Sequence, residues 1–307
     1  MHDLIIIGGG PAGVAAGVYA ARKRLSTVLI TEEIGGQSVV SSSIENWIGR
    51  AEISGADLAK SFQAHLEALR SDNVTLALGE RVVSLEKSAG GFSVKTKTGK
   101  EHSAKAVLVA SGASRRKLAI PGAEKFENKG VTYCASCDGP LFADQDVAVI
   151  GGGNAGFETA LQLLAYAKSV TLIHRHKEFK ADPVTVEKAS AYPNIRIIRH
   201  AEPIEVMGEQ FVTGLAYTDK DSGETRDIAV TGIFVEAGVI PNTDFAEGLV
   251  GLDAIKRVKT DPRTQRTDVD GIWAAGDCTD ELYHQNNITA GDGVKALEDI
   301  YLWIKKQ

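Results

Sequence analysis

Two glycine-rich segments lie 143 positions apart in this 307-residue chain: Gly8-Gly9-Gly10-Pro11-Ala12-Gly13 and Gly151-Gly152-Gly153-Asn154-Ala155-Gly156. Sliding the sequence by that interval aligns Asp3–Ile30 with Asp146–Ile173 without a gap, and 10 of the 28 pairs are identical. Each copy reads as an apolar strand (Leu4–Ile7; Val147–Ile150), a glycine turn, a helix and a second strand (Thr27–Ile30; Val170–Ile173). Strand, crossover helix and strand make a βαβ unit, whose strands must be parallel. One G-x-G-x-x-G is a weak signal; two copies, each between a strand and a helix, argue against two ordinary turns. The fold class expected is α/β: two doubly wound, three-layer dinucleotide-binding domains.

In such a turn the first glycine permits the tight bend, the second lets the backbone approach a pyrophosphate, and the third lets helix and strand pack closely. The helix N-terminus then offers unpaired N–H groups to the phosphates. Candidate cofactor contacts are therefore Gly8, Gly10, Pro11, Ala12 and Gly13 in the first copy, and Gly151, Gly153, Asn154, Ala155 and Gly156 in the second. The residue that meets the adenosine ribose falls about 20 positions past the last glycine. In the first copy it is Glu32, and the 143-residue shift maps it onto Arg175. A carboxylate accepts from a free 2′-OH and repels a 2′-phosphate; a guanidinium does the reverse, here with His176 and Lys180 beside it. FAD in the first domain and NADPH in the second fit this pair.

The remaining segments divide around the repeat. Ser54–Asp72 carries Leu58, Phe62, Leu66 and Leu69 on one helical face, while His65 falls on the polar face as a solvated residue. Phe92–Thr98 and Lys105–Ala110 alternate around Thr98-Gly99-Lys100, and Phe211–Thr218 and Asp227–Glu236 around Asp221-Ser222-Gly223, as hairpins or meanders. Both end in an apolar strand and a small-residue turn, which adds Ala110, Gly112 and Gly238 to the candidate contacts, with Val83 in the first domain and Glu158 in the second. A third such strand, Ile272-Trp273-Ala274, leads into Gly276-Asp277 and a helix at Gly291–Lys305. That last segment is too short for a domain and is assigned back to the first. The expected division is 1–116 with 244–307 as the FAD-binding domain, and 117–243 as an inserted NAD(P)H-binding domain. The junctions, near Ser114–Pro121 and Pro241–Asp244, suit a two-stranded hinge.

Composition excludes several classes. The chain is 43% apolar and 24% charged, enough for full cores. Thirty-four basic against forty acidic residues, without a basic block, argue against a nucleic-acid partner. Apolar runs are strand-sized, so no membrane span is expected. Met-His-Asp runs straight into the first strand, so no cleavable signal is expected. Three cysteines cannot form a disulfide framework, and a reducing, cytoplasmic compartment is expected. Two of them form Cys134-Ala135-Ser136-Cys137, followed by Asp138. A C-x-x-C can be half a zinc site, a redox dithiol or two ordinary cysteines. Zinc needs four ligands and no second pair exists at ligand spacing, so no metal is expected. As a dithiol, a helix start would favour the thiolate, and Asp138 could shuttle a proton. Cys278 reads as a small buried filler.

These motifs resemble the low-molecular-weight thioredoxin reductases over essentially the whole chain: Gly8–Gly13, Gly35-Gly36-Gln37, Ile44-Glu45-Asn46, Cys134–Gly139, Gly151–Gly156, His174–Lys180 and Gly276-Asp277. The chain is also similar to the reductase part of the alkyl hydroperoxide reductase flavoprotein subunit, notably in Gly276-Asp277-Cys278-Thr279 and Pro241-Asn242-Thr243. The N-terminal thioredoxin-like domains of that larger protein have no counterpart in these residues. The resemblance implies that Gly35, Gly36, Gln37, Asn46 and Asp277 hold FAD, that Gln285 approaches the isoalloxazine end with Asn286 beside it, and that His174, Arg175, His176 and Lys180 face the NADPH phosphate. It implies that Cys137 is the flavin-side thiol, Cys134 the thiol that attacks a protein disulfide, and Asp138 the general acid. Departures are His176 and Lys180 where the family has arginines, His284 in place of an arginine, and Asn286-Asn287 in place of apolar residues.

The implied activity is transfer of electrons from NADPH through FAD and the Cys134–Cys137 pair to thioredoxin or a glutaredoxin-like protein, by a homodimer. Alternatives are an NADH-dependent disulfide reductase of a peroxidase system, a flavin-dependent dithiol oxidase, and a flavin-bound redox sensor. Asp138 argues against the sensor, which needs no general acid.

Overall fold

The computed structural model describes residues 1–41, 44–69 and 73–307. In chain order the first segment forms β1 (His2–Ile7), α1 (Pro11–Arg22), β2 (Thr27–Thr31), α2 (Gly55–Ala68), β3 (Val74–Leu78), β4 (Val82–Ser88), β5 (Gly91–Thr96), β6 (Glu101–Val109) and β7 (Ala113–Arg115). The middle segment forms β8 (Val131–Thr132), α3 (Ala135–Asp138), β9 (Asp146–Ile150), α4 (Asn154–Leu163), β10 (Ser169–Ile173), α5 (Pro183–Ser190), β11 (Ile195–Ile198), β12 (Ala201–Gly208), β13 (Val212–Asp219), β14 (Thr225–Ile228) and β15 (Gly232–Val235). The chain closes with β16 (Val239–Pro241), β17 (Ile272–Ala274) and α6 (Asn286–Ile304).

Two compact units result: Met1–Ser114 with Ile240–Gln307, and Arg115–Val239. The expected boundaries lay a few residues later, at 116/117 and 243/244. The two connecting segments pair with each other as the short ribbon β7–β16.

The first unit is built on a parallel sheet in the order β3-β2-β1-β6, with β17 also parallel to β6. Successive residues of β1 face opposite cores. Leu4 and Ile6 pack with Val14, Val18, Leu297 and Ile300 of α1 and α6. Ile5 and Ile7 pack with Val82, Leu85, Phe92 and Val94 of the antiparallel meander β4-β5-β6. Both faces are covered, which is why the strand reads as a continuous apolar run. The second unit repeats the plan: a parallel sheet β11-β10-β9-β15-β8 and an antiparallel meander β12-β13-β14. The fold is α/β, doubly wound and doubled.

Several elements differ from the sequence expectation, for physical reasons. Asp227–Glu236 is not one strand. β14 pairs antiparallel with β13, whereas β15 enters the parallel sheet beside β9, and residues 229–231 carry the chain between sheets. β4 and β12 had no strand signal because register shifts between Val82/Ser84 and Pro203/Glu205 break the period of two. α2 starts where Ser54 Oγ accepts from the Asp57 N–H at 3.1 Å and ends at Ala68. Its expected last residue, Asp72, lies outside the described residues. Leu58 and Leu66 are buried and His65 is exposed. The final helix begins at Asn286, five residues before the expected Gly291.

Candidate active site

In each unit the glycine turn joins a central strand to the helix that follows it. Gly8 has φ +117° and Gly151 φ +136°, the left-handed region that glycine enters without steric cost. The last glycine of each motif is needed for packing: a Cβ on Gly13 would lie 1.9 Å from Gly8 O, and one on Gly156 2.0 Å from Gly151 O. The middle glycines are different. A Cβ on Gly153 would meet nothing within 4 Å, and one on Gly10 only Gly36 Cα at 4.0 Å. Backbone left bare toward open space at a helix N-terminus is what a pyrophosphate needs. Both turns therefore fit a dinucleotide, Pro11 at the first helical position losing only an N–H that no helix residue could accept.

The first unit collects most of its candidate residues at the C-terminal ends of its parallel strands. Gly35 N–H donates to Gly9 O at 2.8 Å, which lays the Gly35-Gly36-Gln37 turn beside Gly10. Ala110 follows β6 against Gly8, and Gly276 follows β17 with its Cα facing Thr289 and Ala12. Gly112 (φ +63°) turns the chain toward β7. Asn46 Nδ2 donates to Gln285 Oε1 at 3.1 Å, Asn287 Nδ2 to Asn46 O at 2.6 Å, and Ser38 Oγ to Asn286 Oδ1 at 2.8 Å. The asparagines that depart from the family pattern thus brace Ser38 and the 46–48 backbone against the start of α6. His284 Nδ1 lies 3.6 Å from Asp277 Oδ1, and this carboxylate raises the imidazole above its ordinary range. Glu32 is exposed past β2, and Arg81 stands 3.8 Å from its carboxylate. Val83 is exposed on β4, two residues beyond Arg81.

In the second unit, Gly151, Gly153, Asn154, Ala155 and Gly156 share the sheet edge with His174, Arg175 and His176 past β10 and with Gly238 past β15. Glu158 is exposed on α4. Lys180 N–H donates to Gly152 O at 3.1 Å, which holds the 175–180 loop over the glycine turn. Arg175, His176 and Lys180 are exposed, and Arg175 Nε donates to His176 Nε2 at 3.1 Å. His174 differs from the rest of the expected phosphate-facing set. It is buried under Gly152, its Nε2 is bonded to Glu178 O at 2.9 Å, and burial followed by the neighbouring cations lowers its pKa. It shapes the turn as a neutral ring. Asn154 is bonded to Asp182 through both ends of its amide.

The cysteine pair lies on the same sheet edge. β8 runs parallel to β15, with Thr132 level with Phe234, and the next residues climb past the strand end. Cys134 and Cys137 form a disulfide with Cα atoms 5.3 Å apart. Cys134 is the N-cap of α3, and its Sγ accepts from the Cys137 N–H at 3.2 Å. Cys137 is exposed and Cys134 half-buried, so a sulfur can be reached from outside. Asp138 directly follows, its carboxylate accepting from Thr132 Oγ1. Cys278 is fully buried in the first unit, and burial pushes its thiol up to about 11.

Sequence reasoning passed over Thr132, Arg81, Ser38 and the group at Glu236. Glu236, past β15 beside Gly151, is largely buried, and its Oε1 accepts from Arg115 Nη1 at 3.2 Å and Thr159 Oγ1 at 3.0 Å. No local pattern marks these residues. Only Thr132, two positions before a C-x-x-C, could have been found by asking what holds Asp138.

Comparison with known proteins places this geometry. The family model described as pyridine nucleotide-disulphide oxidoreductase matches residues 2–293. An NADH dehydrogenase of Bacillus subtilis (strain 168) is 39% identical over 294 residues, 96% of this chain and 57% of that protein. The F subunit of alkyl hydroperoxide reductase from Escherichia coli (strain K12) is 39% identical over 296 residues, again 96% and 57%. The chain thus spans less than three-fifths of the length of these curated relatives. Among solved structures, Lactococcus lactis thioredoxin reductase superposes with a TM-score of 0.96 at 33% identity, covering all of both chains. The T. acidophilum thioredoxin reductase gives 0.92 at 34% identity over 98% of each. Among the described residues no helix is long and apolar enough to cross a membrane. The chain belongs to the pyridine nucleotide-disulphide oxidoreductases, a family that works with FAD and a nicotinamide nucleotide.

Proposed function

We propose that the protein is a thioredoxin-reductase-like enzyme that carries electrons from NADPH to the disulfide of thioredoxin or a similar small redox protein. The observation that carries this reading is the accessible Cys134–Cys137 disulfide, followed by a carboxylate and set on the same sheet edge as the second glycine turn. In this reading the first unit holds FAD through Gly8–Gly13, Glu32, Gly35, Gly36, Asn46, Asp277 and Gln285. The second holds the nicotinamide nucleotide through Gly151–Gly156, with Arg175, His176 and Lys180 toward the 2′-phosphate. FAD held there would supply two-electron chemistry between the nicotinamide nucleotide and the disulfide. Cys137 takes the flavin side, Cys134 attacks the protein substrate, and Asp138 moves the proton. A cytoplasmic homodimer is the assembly and compartment we assign.

The second reading, an NADH-dependent reductase that feeds a peroxidase system, is favoured by the names of the curated relatives and by the single arginine in the 174–180 loop. Anaerobic titration with NADPH and then NADH, followed by addition of thioredoxin, tests both. Bleaching of the flavin by NADPH at lower concentration than by NADH, and then reduction of thioredoxin, supports the proposal. Equal or better use of NADH, with thioredoxin left oxidised, supports the second reading.

A further inference from the structure

Thr132 is 5% exposed at the end of β8, where its backbone is held by pairing with β15. Among the described residues its hydroxyl has two partners, both in the redox segment. Oγ1 accepts from the backbone N–H of Cys134 at 3.3 Å and donates its own proton to Asp138 Oδ2. The Asp138 N–H in turn donates to Cys134 O at 3.0 Å. One hydroxyl, on a β-branched side chain with few rotamers, therefore ties the first cysteine's backbone to the carboxylate that follows the second. An aspartate without such a tie would sample several staggered wells.

We propose that Thr132 is a positioning residue for thiol–disulfide exchange: it fixes the Asp138 carboxyl through Oδ2 and leaves Oδ1 to carry protons between sulfurs. This rests on the disulfide-reductase reading. In the reduced enzyme, Cys134 gives its proton to Asp138 and attacks one sulfur of the substrate disulfide. The substrate S–S bond breaks, a mixed disulfide forms, and the departing thiolate takes the proton back from Asp138. Cys137 then passes its proton to Asp138 and attacks Cys134 Sγ. The Cys134–Cys137 bond forms and the second substrate thiolate leaves with that proton. Two electrons and two protons go from the dithiol to the substrate, and Asp138 ends as it began.

The test uses the FAD-loaded enzyme, reduced with dithiothreitol and desalted anaerobically, so it needs neither NADPH nor thioredoxin. Failure of the wild type to reduce thioredoxin would be seen separately, in steady-state assays. Two probes are compared in single-turnover exchange. Bis(2-hydroxyethyl) disulfide releases an alkyl thiolate that needs a proton; 5,5′-dithiobis(2-nitrobenzoate) releases an acidic aryl thiolate that leaves without one. Thr132→Val keeps the shape and removes the hydroxyl, and Thr132→Ser keeps the hydroxyl. The expected result is a first-step rate about tenfold or more lower for the alkyl disulfide in Thr132→Val, at the low end of general acid–base effects. The aryl rate should fall much less, because its thiolate leaves without a proton and only the deprotonation of Cys134 is affected, and Thr132→Ser should restore the alkyl rate. Thr132→Val should add little to Asp138→Asn in the double variant, since both remove one function. Thr132→Ala should show the same loss, which covers the case that the valine variant does not fold. Equal slowing with both probes, an unchanged alkyl rate, or full additivity with Asp138→Asn would overturn the proposal.

Discussion

Gly153 and Gly156 are three residues apart in one motif, yet the structure predicts opposite consequences for adding a methyl group. Gly153 has φ −96° and ψ −179°, which alanine adopts freely, and its Cβ would meet nothing within 4 Å. Gly153→Ala restricts the unfolded chain, a gain of about 0.4–1 kcal/mol. It also loses glycine's advantage over alanine at a helix N-cap, a cost of similar size, so folding stability should barely change. If the bare backbone is the pyrophosphate cradle, the methyl group instead blocks the ligand, and KM for NADPH and NADH should both rise about tenfold, equivalent to about 1.4 kcal/mol. Gly156 is the reverse case. Its Cβ would lie 2.0 Å from a backbone oxygen, which cannot rotate away, so α4 must move off β9 by more than an ångström. Overpacking of this kind costs about 1–3 kcal/mol, and better helix propensity returns at most about 1. A net loss of about 1–2 kcal/mol should lower the melting temperature by about 2–8 °C. Thermal unfolding of the nucleotide-free protein and initial rates against each nucleotide separate the two effects. An unchanged KM in Gly153→Ala would refute the turn as the nucleotide site, and an unchanged melting temperature in Gly156→Ala would refute the packing argument.

Arg175→Ala should raise KM for NADPH about tenfold and leave NADH nearly untouched, because a lost charge-assisted contact costs about 1.5–3 kcal/mol; equal effects on both nucleotides would mean that Arg175 does not face the 2′-phosphate. After reduction, the native enzyme should show fast thiol labelling at Cys134 and Cys137 only, with Cys278 reacting on unfolding, since burial holds its thiol at about 11. A third fast thiol in mass spectra of the labelled native protein would contradict that burial. Burial lowers the His174 pKa, so the unfolded chain binds its proton more readily and stability is lost as the pH falls through the unfolded value near 6.5. His284 has the opposite sign: Asp277 raises its pKa, and its contribution is present below that unfolded value and lost as the pH rises through the folded one. Urea midpoints measured between about pH 8 and pH 5 should therefore converge for wild type and His174→Gln at the acidic end and diverge there for His284→Gln.

The periodic parts of this protein were legible in its residues because the physics that sets them is local. A strand buried on both faces must be apolar throughout, a helix must close its turn with Gly13 or Gly156, and a tight bend needs Gly8 or Gly151. The 143-residue repeat turned two weak motifs into a two-domain fold. The ends of the two second strands, Glu32 and Arg175, carried the cofactor expectation, and Cys134, Cys137 and Asp138 sit close enough in sequence to be read as one group. Bulged strands such as β4 and β12 were not legible, since an extra residue destroys the alternation by which a strand is recognised. The path of residues 227–236, which leave one sheet and join another, was also hidden, because strand partners are chosen by the tertiary structure. His174 could not be told from its neighbours, although tertiary packing turns it inward beneath Gly152 while Arg175 and His176 stay in solvent. Contacts such as Asn46 with Gln285, 239 positions apart, and Glu236 with Arg115, 121 apart, exist only once the sheets have formed. Side-chain partners at that separation are chosen by where the backbone puts them, and the backbone's course is set by all the strands together.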